Sequence, residues 1–348
     1  MEQLQPLYKK IRVTQIIDEV EDFRSFVFAE EHNISYKAGQ YLTLVSKNGN
    51  KETRRSYSIT SSPELNEPLS IGVKRIKNGF FSRLLFDQTK IGNVLITTGS
   101  GGLFILPDDI INYKQCFFFA AGSGITPIFS LIKTIIHQHH HISVVLIYSN
   151  ASVEKTIFLN EIIELQQQFQ QRFILELLFS TTADLYKARL HRNLIFEFLE
   201  KYTQRKRDEI LFYTCGPENY MRLCIFTLRE TGIAPSNIKR ENFVVHALSQ
   251  KESSPPDKNT YQVNMRVGLH SYSFPVLYPD SILRSAKKAG ISLPYSCEAG
   301  SCGNCVAKLN KGEVWHSANE VLTENEIAKG FILTCVAHPV QGDVELQI

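Results

Sequence analysis

The chain has 348 residues, 43% of them hydrophobic and 21% charged, a balance that excludes a disordered tail, a collagen and a coiled-coil rod. At roughly 150 residues per domain, that length holds two or three domains. A net charge of +3, from 38 basic and 35 acidic side chains, leaves no bulk field for gripping nucleic acid. Seven cysteines are too sparse for a disulfide scaffold. The most apolar stretch, residues 116–136, is broken by Gly122, Gly124, Pro127 and Lys133. It reads as a buried strand, a turn and a helix rather than a membrane span. Residues 1–10 lack the apolar core of a signal peptide. A cytoplasmic, reducing setting is therefore expected, where clustered thiols signal metal more often than disulfide.

In chain order, residues 9–17, 24–28, 40–45, 56–60 and 69–76 are rich in Val, Ile, Thr, Tyr and Phe, with Gly, Pro and Asn in the gaps. Short strands at this spacing predict an antiparallel β-barrel over residues 1–107. The texture then changes. Residues 116–120, 143–148, 173–180 and 210–214 read as strands, with helices over 126–136, 155–169 and beyond. That alternation predicts a doubly wound α/β sheet over residues 108–248. Residues 249–260 carry no large apolar side chain and include Pro255-Pro256, which predicts an exposed, semi-extended linker. In the remaining part, residues 261–348, segments 261–267 and 271–277 predict a hairpin turning near Gly268. Residues 280–289 predict a helix capped by Asp280 or Ser281 and stopped at Gly290. Thr323 and Glu326 have capping-box spacing.

Four cysteines, Cys297, Cys302, Cys305 and Cys335, follow the spacing C-x4-C-x2-C, then 29 residues, then C. Three thiolates on one tight loop and a fourth from a distant segment can surround a two-iron cluster. Gly300 and Gly303 let the loop fold closely and point amides at the sulfurs. Zinc prefers C-x2-C pairs on both sides, and here the fourth cysteine stands alone. At the end of a predicted strand, Arg55-Ser56-Tyr57-Ser58 is followed by Thr60-Ser61-Ser62. An aromatic ring there stacks on a flat heterocycle, an arginine holds phosphate and hydroxyls bond ring atoms; packing of Tyr57 in the core is the bland alternative. Arg54 reads as readily as a solvated-face residue. Gly122-Ser123-Gly124-Ile125-Thr126-Pro127 follows an apolar strand and opens a helix. Its glycines admit a dinucleotide to the backbone, and the helix start favours negative phosphate. The run His137, His139, His140 and His141 reads as solvated loop, Cys116 and Cys224 as core thiols, and Arg205-Lys206-Arg207 as a solvated helix end.

Residues 294–305, with Leu333-Thr334-Cys335, resemble the cluster loop and fourth-ligand site of plant-type [2Fe–2S] ferredoxins. The resemblance implies a β-grasp fold for residues 261–348 and makes the four cysteines its metal ligands. The Arg-Ser-Tyr-Ser segment lies between Tyr36-Lys37-Ala38-Gly39-Gln40-Tyr41 and Gly79-Phe80-Phe81-Ser82. Together these resemble the FAD domain of the ferredoxin–NADP reductase superfamily. The resemblance implies that Arg55 meets the FAD pyrophosphate, Tyr57 stacks on the isoalloxazine and Ser58 lies near its reactive nitrogen. It adds Thr60 to the flavin contacts and has Gly79, Phe81 and Ser82 cradle the pyrophosphate through backbone amides. Gly122, Gly124 and Thr126, with Cys215-Gly216-Pro217, are similar to the superfamily's nicotinamide site. There Thr126 and Cys215 flank the hydride path. Glu241-Asn242-Phe243 is similar to the segment that brings an aromatic near the flavin, although Asn242 stands where Arg is usual.

A 2′-phosphate needs Arg, Lys or hydroxyl donors, and an unphosphorylated ribose a carboxylate. Ser180-Thr181-Thr182 has Lys187 and Arg189 nearby, and no acidic residue closes the strand at Ser149-Asn150. NADPH and NADH both remain open. The three sections in this order resemble the reductase components of bacterial multicomponent oxygenases, of the phenylacetyl-CoA epoxidase and 3-ketosteroid hydroxylase type. That implies an NAD(P)H-dependent oxidoreductase passing electrons through FAD and [2Fe–2S] to an oxygenase or hydroxylase partner. A stand-alone diaphorase and a non-catalytic electron carrier are the alternatives.

Overall fold

The structure is a computed structural model that describes residues 8–48, 51–243 and 254–348. The chain divides into two compact units, residues 8–242 and residues 243–348. The first unit begins with β1 (Lys9–Val20), β2 (Phe23–Phe28), β3 (Tyr41–Asn48), β4 (Lys51–Ser58), β5 (Ser70–Lys74), α1 (Phe80–Gln88) and β6 (Val94–Gly101). In β1 the pattern has period two: Ile11 and Val13 are buried, while Lys10, Arg12 and Thr14 are exposed. The antiparallel order is β4-β3-β6-β1-β2-β5. The two edges meet, because Ile59 bridges Ile71 of β5 and Thr60 N–H donates to Ser70 O at 2.9 Å. The row thereby closes around Val13, Phe26, Leu42, Ile59 and Ile71, with Phe81 and Leu85 of α1 packed on the same core.

Next come β7 (Gln115–Ala121), α2 (Ile125–Gln138), β8 (Ser143–Asn150), α3 (Leu159–Gln168), β9 (Phe173–Phe179), α4 (Arg192–Tyr202), β10 (Ile210–Cys215), α5 (Glu218–Glu230) and β11 (Ile238–Glu241). The strands form a parallel sheet in the order β11-β10-β7-β8-β9. Helices cover both faces, which is why the central strand is a continuous apolar run. Cys116, Phe118 and Ala120 pack with α2, and Phe117 and Phe119 with α4 and α5. The strand order reverses between β7 and β10.

Helix α2 also grips the barrel. Ser130 Oγ donates to Ser61 O at 2.6 Å, and Thr134 Oγ1 lies 2.7 Å from Ser62 Oγ. Thr134 also donates to Glu64 (3.1 Å). Lys133 pairs with Glu67 and lies 4.7 Å over the Phe129 ring. Burial pulls the Lys133 ammonium below its ordinary pKa, so it depends on that carboxylate.

The second unit contains β12 (Tyr261–Val267), β13 (His270–Val276), α6 (Ile282–Lys288), β14 (Val306–His316), α7 (Glu324–Ala328), β15 (Phe331–Leu333) and β16 (Ala337–Gln347). Its mixed sheet runs β13-β12-β16-β14-β15, with β12 and β16 parallel. The expected hairpin turns at Gly268, and Gly290 ends α6 in the left-handed region, with φ of +58° and +74°. Ser281, not Asp280, caps α6, accepting from Arg284 N–H at 3.2 Å. The Thr323–Glu326 capping box forms as expected.

Residues 249–253 of the expected linker lie outside the described residues, as do residues 1–7. The rest of the linker is not free. Pro255 is buried, Asp257 accepts the N–H of Gln341 at 2.9 Å, and Lys258 lies 5.3 Å over the Tyr278 ring. Gln341 has a left-handed backbone, φ +60°, so its amide turns away from the sheet ladder and takes a side-chain acceptor instead. No helix among the described residues is long and apolar enough to cross a membrane.

The grip of α2 is testable. Glu67→Ala strands the buried Lys133 ammonium and is expected to cost about 2–3 kcal/mol. Lys133→Met costs less, because Glu67 retains the Ser62 N–H (2.8 Å) and is 31% exposed. Urea midpoints of the two variants check the order.

Candidate functional site

The first site lies at the carboxyl ends of β7 and β10, where open α/β sheets bind ligands. Each strand turns directly into a helix, and the two turns touch. A β-carbon on Gly124 would lie 2.0 Å from Cys215 O, and one on Gly216 would lie 2.9 Å from Ala121 Cβ. Gly122, at φ +52°, faces open space. Helices α2 and α5 therefore start side by side, a setting suited to phosphate. Around this crevice Ser149 Oγ, Asn150 Nδ2 and Glu241 Oε2 are buried without a hydrogen-bond partner. Such atoms carry a cost unless a ligand meets them, so the residues present fit a bound dinucleotide.

Cys215 is fully buried. Burial, and then the Glu241 carboxylate, push its thiol well above the ordinary range, so it stays protonated. Glu241 sits beside it, since Cys215 and Glu241 are partners in the β10–β11 ladder. Burial pushes the Glu241 carboxyl up to about 8. In the sequence Glu241 stands out only as part of a tripeptide. The signal available is an acidic residue closing a short parallel edge strand. Thr126 is buried, and its hydroxyl donates to Ser123 O at 2.9 Å, tightening the turn. Its methyl abuts Gly72 of β5, where a β-carbon would come within 2.6 Å. The nicotinamide-type turn thus adjoins the barrel.

On the barrel, Arg55, Tyr57 and Ser58 end β4. Arg55 is exposed and donates to Arg54 O at 2.7 Å. The half-buried Tyr57 ring tilts against Phe81 at 6.1 Å, and burial raises its hydroxyl above the ordinary range. Ser58 is buried. The Thr60 hydroxyl is engaged by Ser70 Oγ at 2.8 Å, within the barrel closure. Ser82 accepts Ile76 N–H at 3.1 Å and donates to Gly79 O at 3.3 Å, folding the loop that opens α1. A β-carbon on Gly79 would meet Ser82 Oγ at 2.7 Å, so glycine is required there. A tilted aromatic, a guanidinium and a helix start on one rim fit a flavin nucleotide. Arg54 is not on a solvated face: it is buried and paired with Glu52 at 2.6 Å. Phe243, at the start of the second unit, is exposed.

The second site is the cysteine loop. Glu298, Gly300 and Gly303 all have left-handed backbones, with φ of 55°, 73° and 75°. These twists turn amides toward sulfur. Ala299 N–H donates to Cys297 Sγ at 3.4 Å, and the amides of Asn304 and Cys335 serve Cys302 and Cys305. Among the described residues no His, Cys, Asp or Glu group closes around one metal-ion position. The four thiols instead lie near one another and influence each other in sequence, Cys302 with Cys297, Cys297 with Cys335, and Cys335 with Cys305. Cys297, between the thiols of Cys302 and Cys335, is pulled below its ordinary pKa. Two thiol pairs end to end fit a cluster of two irons with two thiolates on each.

Comparison with known proteins agrees with this geometry. Residues 10–105 match the family model described as oxidoreductase FAD-binding domain, residues 118–225 the oxidoreductase NAD-binding domain, and residues 270–340 the 2Fe-2S iron-sulfur cluster binding domain. The chain belongs to the NAD(P)H-dependent oxidoreductases that join FAD, nicotinamide and [2Fe–2S] domains in one polypeptide. It is 28% identical over 347 residues to a component polypeptide of the 1,2-phenylacetyl-CoA epoxidase of Escherichia coli, covering 97% of this chain and 96% of that one. It is 28% identical over 356 residues to the ferredoxin reductase component of 3-ketosteroid-9-alpha-monooxygenase from Rhodococcus rhodochrous, with the same coverage. The solved phthalate dioxygenase reductase shares the fold over 98% of both chains, with a TM-score of 0.58 and 24% identity.

Glu241 gives the first unit a pH dependence. Its carboxyl holds a proton up to about pH 8 when folded, against 4.5 as its ordinary value. The associated stability is full below about 4.5 and is lost as pH rises to about 8. It amounts to a few kcal/mol, on the order expected for such a shift. Glu241→Gln is expected to flatten that decline, as read from urea midpoints between pH 5 and pH 8.

Proposed function

We propose that the chain is the reductase component of a multicomponent oxygenase, favouring the phenylacetyl-CoA epoxidase type. It carries electrons from NADH or NADPH through FAD and a [2Fe–2S] cluster to an oxygenase or hydroxylase polypeptide. The observation that carries the reading is one chain holding both the strand-end crevice of β7 and β10 and three thiols on one tight loop met by a fourth, Cys335, from a distant turn. The two epoxidase and monooxygenase relatives match along nearly their whole length, which supports an oxygenase partner. Seven free cysteines support a reducing, cytoplasmic setting. The functional modules proposed are residues 1–107 for FAD, 108–248 for the nicotinamide and 261–348 for the cluster, with 249–260 joining the last two.

When bound, these groups supply the redox chemistry and convert a two-electron donor into single electrons. The protein's part is placement. Arg55 holds the flavin pyrophosphate together with the amides at residues 79–82, while Tyr57 stacks on the ring system and Ser58 lines its edge. Gly122, Gly124 and Gly216 admit the nicotinamide dinucleotide to the backbone, with Pro217 fixing the start of α5. Thr126 and Cys215 flank the nicotinamide ring. Uncharged Cys215 and protonated Glu241 keep that end of the crevice free of negative charge. Phe243 is the aromatic offered to the flavin. Cys297, Cys302, Cys305 and Cys335 hold the cluster.

Anaerobic titration of the purified chain tests the reading. Flavin bands near ~450 nm should bleach with NADH, NADPH or both, and comparing the two fixes the donor. Cys335→Ser should keep that bleaching while abolishing electron delivery to a cognate oxygenase. A flavin that neither nucleotide bleaches sinks the proposal. Bleaching with no oxygenase accepting electrons points to a stand-alone diaphorase.

A further inference from the structure

Cys335 is the one cluster thiol that comes from outside the tight loop, so its turn has to be held in place by something other than loop geometry. Residues 333–336 are tied at several points. Thr334 N–H and Oγ1 both donate to Cys305 O, each at 3.0 Å. Val336 N–H donates to Leu333 O at 3.1 Å, and Ser317 N–H to Val336 O at 3.0 Å. The tie at the head of the turn is different in kind. Leu333 N–H donates to Nε2 of His316 at 3.2 Å, a bond from main chain to an imidazole.

The fold makes this contact possible by bending β14. Val306, at the start of β14, is the ladder partner of Leu333, and His316, at its other end, reaches the same residue. Between them the register shifts on both sides of Lys311, and Gly312 adopts φ +90°. A β-carbon there would lie 2.6 Å from Asp343 O, so only glycine allows the bend. β15 is a three-residue edge strand with little ladder of its own to fix the cysteine turn beyond it. An imidazole accepts at Nε2 only when neutral, with its proton on Nδ1. Burial, and then the charge of His338, hold the His316 pKa down, which favours that form.

We propose that His316 is the positioning residue of the fourth cluster thiol: its imidazole anchors the Leu333 amide and so fixes the turn that presents Cys335. This rests on the cluster reading above. Groups that orient a metal's ligands without touching the metal commonly change its retention 10–100-fold. The role asks for an acceptor at one point in space, not for bulk.

The test uses the full-length holoprotein and two substitutions. His316→Gln retains an acceptor on a side chain of similar reach, and His316→Met keeps volume without one. If His316→Met fails to fold, His316→Ser, too short to reach, replaces it. The readouts are the rate of cluster bleaching under an iron chelator, the cluster midpoint potential by spectroelectrochemistry, and the EPR spectrum of the reduced chain. Flavin bleaching by nucleotide serves as the folding control. His316→Met should lose its cluster about 10–100-fold faster with a shifted potential, and His316→Gln should match the unaltered chain. Unchanged cluster retention and potential in His316→Met, or equal loss in both variants, overturn the proposal. Absence of iron and cluster absorbance in the unaltered chain overturns the cluster reading beneath it, and is told apart by that control alone.

Discussion

The carbonyl oxygen of Cys215 stands 2.0 Å from where a β-carbon on residue 124 would be. That single steric constraint organises the first unit. It brings the start of α2 against the end of β10, so two helix starts open on one crevice. Because α2 is also tied to the barrel through Ser130, Lys133 and Thr134, the same helix sets the crevice relative to the barrel rim. A substituent at residue 124 would push on a strand end and, through the helix, on the polar contacts with Ser61, Ser62 and Glu67. Catalysis by orientation needs this kind of rigid coupling between binding surfaces.

The seven cysteines show how far environment divides one residue type. Cys116 and Cys224 are buried among apolar side chains, and burial raises both thiols. Cys215 is held up by burial and by Glu241. In the cysteine loop the neighbours of Cys297 are donors, and there the shift reverses. The thiols of Cys302 and Cys335 account for most of that reversal, and the Ala299 amide, turned inward beside the left-handed Glu298, adds to it.

Features encoded locally are the ones legible in the sequence. The spacing of Cys297, Cys302 and Cys305, the apolar run of β7, the Thr323–Glu326 box and the glycine stops all act within a few residues, and they can be read for that reason. The strands β6, β14 and β16 escape such reading. β6 is Thr- and Gly-rich, and the buried Thr97 hydroxyl bonds to Thr43 O at 2.7 Å, a satisfaction that only the partner strand reveals. β14 and β16 carry Gly312, Pro339 and Gly342, which mimic loop composition. Side-chain roles are least legible. The hydroxyls of Thr60 and Ser82 are engaged in shaping the fold, Arg54 is buried against Glu52, and Glu241 acquires its raised pKa from residues far away in sequence. Each depends on tertiary neighbours that no short pattern specifies.

The tie between Asp257 and the Gln341 amide shifts where this protein can be divided. Composition places a seam that runs through residue 260, yet residues 254–260 are fastened to the downstream sheet by a buried proline, a carboxylate and a lysine over Tyr278. The structural border therefore lies upstream of the compositional one. A transplanted ferredoxin module that began at Tyr261 would leave the left-handed turn at Gln341 without its acceptor. One that began ahead of Pro255 would bring its own closure.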